Sequence, residues 1–297
     1  MNDTISNRDA RHLFIALHGL SQPPHRKLSK VALQAEIERI GFVQVDSINT
    51  VARAHHMILH ARNRTYRPSQ LTSLLEEDRA LFENWTHDAS IIPARYYPYW
   101  HSRFRETAVR LREVWRRRRQ PGFEAALDSL RERITETGPV MARDLRGDAP
   151  RQPTGWWNWH PGKTALEYLW RTGELAITRR NGFQKVYDLA SRVIPDEHRT
   201  CFPDENEVLD WACLSALERL GFASPAEIAD FWKAYNVAEV TAWCKQNLGT
   251  MVRMVRVENS DGTASKDHFM LEGGHDHTAV LSPPSIMRVL SPFDPMI

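Results

Sequence analysis

The feature that most constrains the fold is the stretch from Pro161 to Leu189, where a helical pattern runs into two alternating segments joined by Asn181-Gly182. Leu175–Thr178 and Lys185–Leu189 alternate as the strands of a small wing do, and Asn-Gly is a strong signal for a tight hairpin between them. Upstream, Phe123–Glu136 reads as a helix, Gly138-Pro139 as a turn, Met141–Leu145 as a short helix and Pro161–Arg171 as the third. Helices followed by a hairpin make this a winged helix-turn-helix unit.

The same order is predicted twice more. Ser6 can cap a helix from Asn7 to about Leu20, with Leu13, Ala16, Leu17 and Leu20 on one face, and a break follows at Gln22-Pro23-Pro24. Ser29 can cap a second helix that buries Val31, Leu33, Ile37 and Ile40 and stops at Gly41, before a short strand over residues 42 to 46. Near the other end, Val208–Leu220 is amphipathic with Gly221 as its stop, Ser224 caps a short helix, and Val237–Leu248 forms a third. Met251–Val257 and His268–Leu271 read as strands connected through Asn259-Ser260-Asp261-Gly262. The expected fold is mainly α, with tandem winged helix-turn-helix units and small β-hairpin wings. The segments are 1–95, a basic connecting helix over 96–120, then 121–198, 199–280 and 281–297. The repetition is of pattern; internal identity is too faint for a sequence repeat.

At 297 residues and 34.3 kDa the chain can bury a core in two or more domains. A net charge of +2 with pI near 8.5 does not by itself point to nucleic acid, so distribution matters more. Basic residues concentrate between Arg103 and Arg119, ending in Arg116, Arg117, Arg118 and Arg119, on a helix expected over Tyr99–Arg119. Such a run either follows phosphates or is a solvated face. Cys201, Cys213 and Cys244 fit neither a zinc site nor a redox pair, which predicts reduced thiols. No apolar stretch reaches the roughly 20 residues that span a bilayer, and the start is polar, so a soluble cytoplasmic protein is expected.

Polar side chains interrupt the apolar pattern between Phe42 and Arg62. Read as a strand, residues 42–46 put Val43 and Val45 on one side and Gln44 with Asp46 on the other. An acid beside an amide suits water activation: Asp46 can orient a water and accept its proton while Gln44 fixes it with a second hydrogen bond. A competing reading makes Asp46, Ser47 or Asn49 the N-cap of a helix from Asn49 that carries Val51, Ala54, Ile58 and Leu59. His55, His56 and His60 have helical spacing but no Cys or acidic partner at metal-site spacing, so no metal is expected. Neither a Gly-x-Ser-x-Gly elbow nor a dinucleotide fingerprint is present. Pro161-Gly162-Lys163-Thr164 lacks the glycine spacing of a P-loop.

The run Val-Gln-Val-Asp-Ser-Ile-Asn-Thr-Val-Ala-Arg-Ala-His-His resembles the Gln-x-Asp motif of the winged-helix crosslink-repair DNA glycosylases of the YcaQ/AlkZ type. Other blocks resemble the same family in the same order. They are the His87-Asp88-Ala89-Ser90 stretch, the Trp-rich run from Trp156 to Trp170, Arg179 to Leu189 in the wing, and Ser291-Pro292-Phe293-Asp294-Pro295. In that family the last motif lies inside a longer chain, so a C-terminal region that begins at 281–297 and is otherwise missing is expected here.

The resemblance implies a monofunctional DNA glycosylase that hydrolyses the N-glycosidic bond of N7-alkylated purines and unhooks interstrand crosslinks, without a cofactor. It gives Asp46 the water and the sugar cation, and Gln44 the holding of that water. Asn49, His55, His56, Trp85, His87 and Asp88 are candidates to line the pocket. Trp85 as ordinary core and His87-Asp88 as a turn are the alternatives. Lys163, Arg179, Arg180 and Lys185 join Arg116 to Arg119 as candidate phosphate contacts, with solubility as the alternative. The expected partner is duplex DNA with alkylated or crosslinked purines, bound by a monomer in an open channel because a crosslinked base cannot swing free. The competing class is a non-catalytic winged-helix regulator whose third helices read the major groove.

Overall fold

The structure is a computed structural model that describes residues 3–117, 123–145, 161–263, 267–274 and 282–297. Side-chain caps start many of its helices. The Ser6 hydroxyl ends strand β1 (Asp3–Ile5) and opens α1 (Asn7–Leu17) by accepting the Asp9 N–H at 3.1 Å. Ser29 does the same for α2 (Lys30–Ile40) through Ala32 N–H at 3.1 Å. That helix stops at Gly41, where φ is +89° and a Cβ would sit 2.7 Å from Arg219 Nε, so both conformation and space demand glycine.

β2 (Val43–Gln44), α3 (Ala54–Arg62), α4 (Pro68–Glu76), β3 (Leu81–Trp85) and β4 (Ala89–Pro93) follow. A 3₁₀ turn at Ala94–Tyr99 leads into α5 (Trp100–Arg117). Next come α6 (Phe123–Thr137), β5 (Val140–Met141), a 3₁₀ turn at Ala142–Leu145, α7 (Pro161–Arg171), β6 (Leu175–Asn181), β7 (Gln184–Leu189) and α8 (Ala190–Val193). A 3₁₀ turn at Asp196–His198 precedes α9 (Glu205–Leu220), β8 (Phe222–Ala223), α10 (Pro225–Trp232), α11 (Val237–Gln246), β9 (Val252–Val257) and β10 (His268–Leu271). Capping boxes at Asp204–Glu207, Ser224–Glu227 and Asn236–Glu239 start α9, α10 and α11. The Asp204 box explains why α9 begins three residues before the Val208 expected from periodicity. The described chain is thus mainly helical with small sheets, and none of its helices is long and apolar enough to cross a membrane.

Two compact units divide the chain. Unit 1 comprises Met1–Leu71, Thr86–Ile91 and Pro203–Ile297; unit 2 comprises Thr72–Trp85 and Ile92–Phe202. Most residues of the segments 1–95 and 199–280, which sequence patterning separates, therefore share unit 1. Its four-stranded sheet has the order β1-β9-β10-β8, with β1 parallel to β9 in the register Asp3↔Val255 and the other pairs antiparallel. Ile5, Leu13, Val255, Val257 and Met270 form the core on this sheet, with Leu17 and Phe222 packed against it. In the same unit β2 pairs antiparallel with β4, Val43 opposite Ile91 and Gln44 opposite Ser90.

Unit 2 holds the antiparallel sheet β5-β7-β6 and buries Leu127, Leu130 and Ile134 of α6 with Leu166, Leu169 and Trp170 of α7. The β6–β7 hairpin forms where Asn181-Gly182 predicts one, but its two-residue turn is Gly182-Phe183, one position later, because Asn181 pairs with Gln184. Both turn residues have positive φ, +55° and +69°, as a hairpin turn of this length requires. Phe183 tolerates the left-handed region with help from Arg180. The Arg180 guanidinium stacks 4.4 Å from the Phe183 ring centroid, and its Nη1 donates to the Phe183 carbonyl at 2.8 Å.

Candidate active site

The site is built on β2. Val45 N–H donates to the Ala89 carbonyl at 2.8 Å and prolongs the β2–β4 pairing by one residue beyond Gln44. Val43 and Val45 are buried, whereas Gln44 and Asp46 are half-buried. Gln44 contributes to the wall of a cavity of about 700 Å³ together with Phe14, Phe42, His87, Phe231 and Phe293. Among the described residues its carboxamide has no hydrogen-bond partner, which leaves a donor and an acceptor for a bound molecule. Asp46 is not among the residues that line this cavity.

Asp46 heads the loop that follows. One carboxylate oxygen, Oδ1, accepts the Ile48 N–H at 2.6 Å, a tight Asx turn. No other hydrogen-bond partner of Asp46 occurs among the described residues. From Ser47 to Val51 the chain is exposed, and α3 starts only at Ala54, with Arg53 at its N-cap and no side-chain cap bond. The expectation that Asp46, Ser47 or Asn49 caps a helix from Asn49 is therefore corrected. The Asx turn ties the acid to its own loop instead, and Asn49 stands in solvent.

Of the neighbouring candidates, His55 is buried against His56, with ring centroids 4.1 Å apart. His56 Nδ1 meets the Tyr66 hydroxyl at 2.8 Å, and burial, then Arg53, holds its pKa below the usual histidine value. No group of three His, Cys, Asp or Glu converges on a metal-sized point among the described residues. His87 stacks on Phe42 at 5.7 Å and its Nε2 lies 3.0 Å from the Phe231 carbonyl, an acceptor that requires the Nε2–H form. Asp88 forms a turn: its carboxylate accepts Ala89 N–H at 2.7 Å and its carbonyl accepts Thr86 N–H at 2.9 Å. Trp85 belongs to unit 2, where the Arg171 guanidinium covers its ring at 4.2 Å and Trp170 meets it edge-on at 6.3 Å. Burial pushes the Cys213 and Cys244 thiols up, Cys244 to about 12, so neither is a nucleophile at neutral pH.

Sequence patterning misses the tie between α3 and the Ser-Pro-Phe-Asp-Pro motif. Arg62, at the end of α3, donates Nη1 and Nη2 to the two oxygens of Asp294 at 2.7 and 2.9 Å, with the side chains 1% and 0% exposed. Nη1 also reaches the Ile58 carbonyl at 2.9 Å. His18 is buried in the same unit and is pushed down to about 4, chiefly by desolvation, with Arg62 adding to the effect. No local spacing signals a partner more than 200 residues away.

The candidate phosphate contacts Lys163, Arg179, Arg180 and Lys185 divide into two groups. Lys163 on α7 and Arg179 on β6 are exposed, and Arg179 forms no ion pair among the described residues. Arg180 grips Glu83 through Nη2 at 2.6 Å and Nε at 2.9 Å, its charge matched by an acid that is itself buried. Lys185 sits 3.4 Å from the Trp170 ring centroid and 3.3 Å from Glu167, and burial lowers its pKa. Arg116 and Arg117 lie within α5, whereas Arg118, Arg119 and the Trp156–His160 run fall outside the described residues.

The family model for DNA glycosylase AlkZ-like proteins matches residues 37–297, which include β2, the Asp46 loop and the Asp294 motif. The solved structure of the DNA glycosylase AlkZ from Streptomyces sahachiroi superposes with a TM-score of 0.65 over 98% of this chain and 76% of that one, at 15% identity. An identity that low speaks for the fold; the family match covers most of the sequence. The chain belongs to the AlkZ-like DNA glycosylase family and is a DNA glycosylase.

Proposed function

We propose that the enzyme hydrolyses the N-glycosidic bond of N7-alkylated purines in duplex DNA, including those joined in interstrand crosslinks, with Asp46 and Gln44 as the catalytic pair. The observation that carries the reading is a half-buried carboxamide on β2 with a half-buried carboxylate two residues beyond it. Gln44 has an uncommitted carboxamide, and Asp46 keeps one carboxylate oxygen held by Ile48 N–H and the other available. An N7-alkylguanine is already cationic, so its departure with the C1′–N9 electron pair neutralises it and needs little acid assistance. The remaining tasks are to stabilise the cationic sugar and to deliver water. Asp46 serves both: its charge faces the oxocarbenium-like sugar, and its free oxygen takes the proton as the water oxygen bonds to C1′. Gln44 holds that water by donating or accepting a second hydrogen bond.

The helix-and-hairpin order of α6, α7 and β5–β7 supports a winged-helix reading of unit 2, and exposed Lys163 and Arg179 are two of the phosphate contacts it offers. Arg180 and Lys185 act on the hairpin itself, through Glu83, Glu167 and Trp170. Working as a monomer on DNA needs no cofactor in this scheme. The test is to incubate the protein with duplex DNA carrying N7-methylguanine, and separately with an N7-linked interstrand crosslink. Free base with alkali-sensitive strands from the first, and separated strands from the second, are expected. Sequence-specific binding without base release would instead make the chain a regulator.

A further inference from the structure

Between Asp46 and α3 the chain presents two aliphatic side chains to solvent, Ile48 at 63% and Val51 at 88% exposure. Both ends of this loop are fixed. Before it, β2 is paired to β4; after it, α3 is anchored by the buried Arg62–Asp294 pair and by His56 on Tyr66. Beyond Asp46 itself, the rest of the loop, Ser47, Asn49, Thr50, Ala52 and Arg53, adds no acidic residue that would repel phosphate. The loop is also mechanically joined to the candidate catalytic group, because the Asp46 carboxylate accepts the backbone N–H of Ile48 itself.

We infer that Ile48 and Val51 form an apolar wedge against duplex DNA, seated from the minor-groove side at the sugar and base step of the damaged nucleotide. Aliphatic side chains have no use against phosphate; on DNA their partners are the thymine methyl, sugar faces and base steps, and between base steps such wedges partly unstack the helix. Approach from the minor groove fits the lesion chemistry, since N7 of a purine lies in the major groove and its alkyl group or crosslink would stay unobstructed. Seating Ile48 fixes its N–H, and with it the Asp46 carboxylate, beside C1′. The wedge rests only on the chain acting on DNA, whereas the consequence for Asp46 rests on the catalytic role proposed above.

The test uses the double variant Ile48→Ser, Val51→Ser. Both positions are exposed, so its melting temperature stays that of the wild type. The probe is a duplex with 2-aminopurine beside N7-methylguanine. Wild-type binding should raise the 2-aminopurine fluorescence and the double variant should lose most of that rise. At saturating protein the single-turnover release of base should fall by about tenfold, with the salt dependence of binding unchanged because neither side chain neutralises a phosphate. A double variant with the wild-type fluorescence change and rate would overturn the wedge. So would a wild type that is dimeric and a variant that is monomeric, since the apolar pair would then face a second copy of the chain. If wild type releases no base yet its fluorescence change still depends on the two side chains, the catalytic reading fails and the DNA contact stands.

Discussion

Asp46 illustrates how one carboxylate can be both fixed and free. The Ile48 N–H sets its direction through one oxygen, and the second oxygen, with its own lone pairs, remains for water. His18 has the opposite condition, a titratable ring with burial as its main influence. Its pKa in the folded protein, about 4, lies below the ordinary histidine value of 6.5, so the unfolded chain binds more protons between those values. The stabilising contribution is complete above about pH 6.5 and is lost as pH falls toward 4, on the order of 3 kcal/mol in all. In urea titrations from pH 7 to 4, His18→Gln should lose less stability than wild type; parallel losses would assign the acid sensitivity elsewhere. The Arg62–Asp294 pair makes a second residue-scale prediction. Asp294→Asn leaves a buried guanidinium without its counter-charge and should cost about 3–5 kcal/mol. A change below about 1 kcal/mol in urea unfolding would mean that water reaches the pair, against its burial in the fold.

At the scale of elements, what is legible in the sequence is what local chemistry decides. Ser6, Ser29 and Ser224 cap the helices that their positions predict, because a cap bond reaches only two or three residues. The β6–β7 hairpin is legible from Asn181-Gly182, yet its turn slides to Gly182-Phe183 because the pairing of Asn181 with Gln184, and the hold of Arg180 on Phe183, outweigh dipeptide preference. The start of α3 differs from its expected place for a related reason: Asp46 bonds to Ile48 N–H rather than to a helix end. Wholly illegible are the parallel pairing of β1 with β9 and the Arg180–Glu83 grip, which depend on residues far apart in sequence. The turn gives the element-scale prediction. At Gly182 φ is +55° and a Cβ would meet nothing within 4 Å, so Gly182→Ala should cost about 1–2 kcal/mol from backbone strain alone. Gly182→Asn should cost less, and thermal melts that rank the two in reverse would refute this account of the turn.

For the molecule as a whole, family membership makes DNA the substrate, while the net charge of only +2 means that attraction to phosphate must come from placement rather than sum. The run Arg116 to Arg119 is the densest such placement in the sequence. Replacing Arg116, Arg117, Arg118 and Arg119 with alanine should weaken binding to duplex DNA and flatten its salt dependence by about 0.9 in log–log slope for each phosphate that the run neutralises. A slope equal to that of wild type would make the run a solvated face. The central claim, however, concerns a single acid on the loop after β2, and one measurement reaches it most directly. Base release from N7-methylguanine duplex is followed under single-turnover conditions for wild type and Asp46→Asn, at protein concentrations that saturate the DNA for both. The account predicts equal DNA occupancy and melting temperature with a rate lower by roughly 10²–10⁴-fold in the variant. Release by Asp46→Asn at the wild-type rate would contradict it.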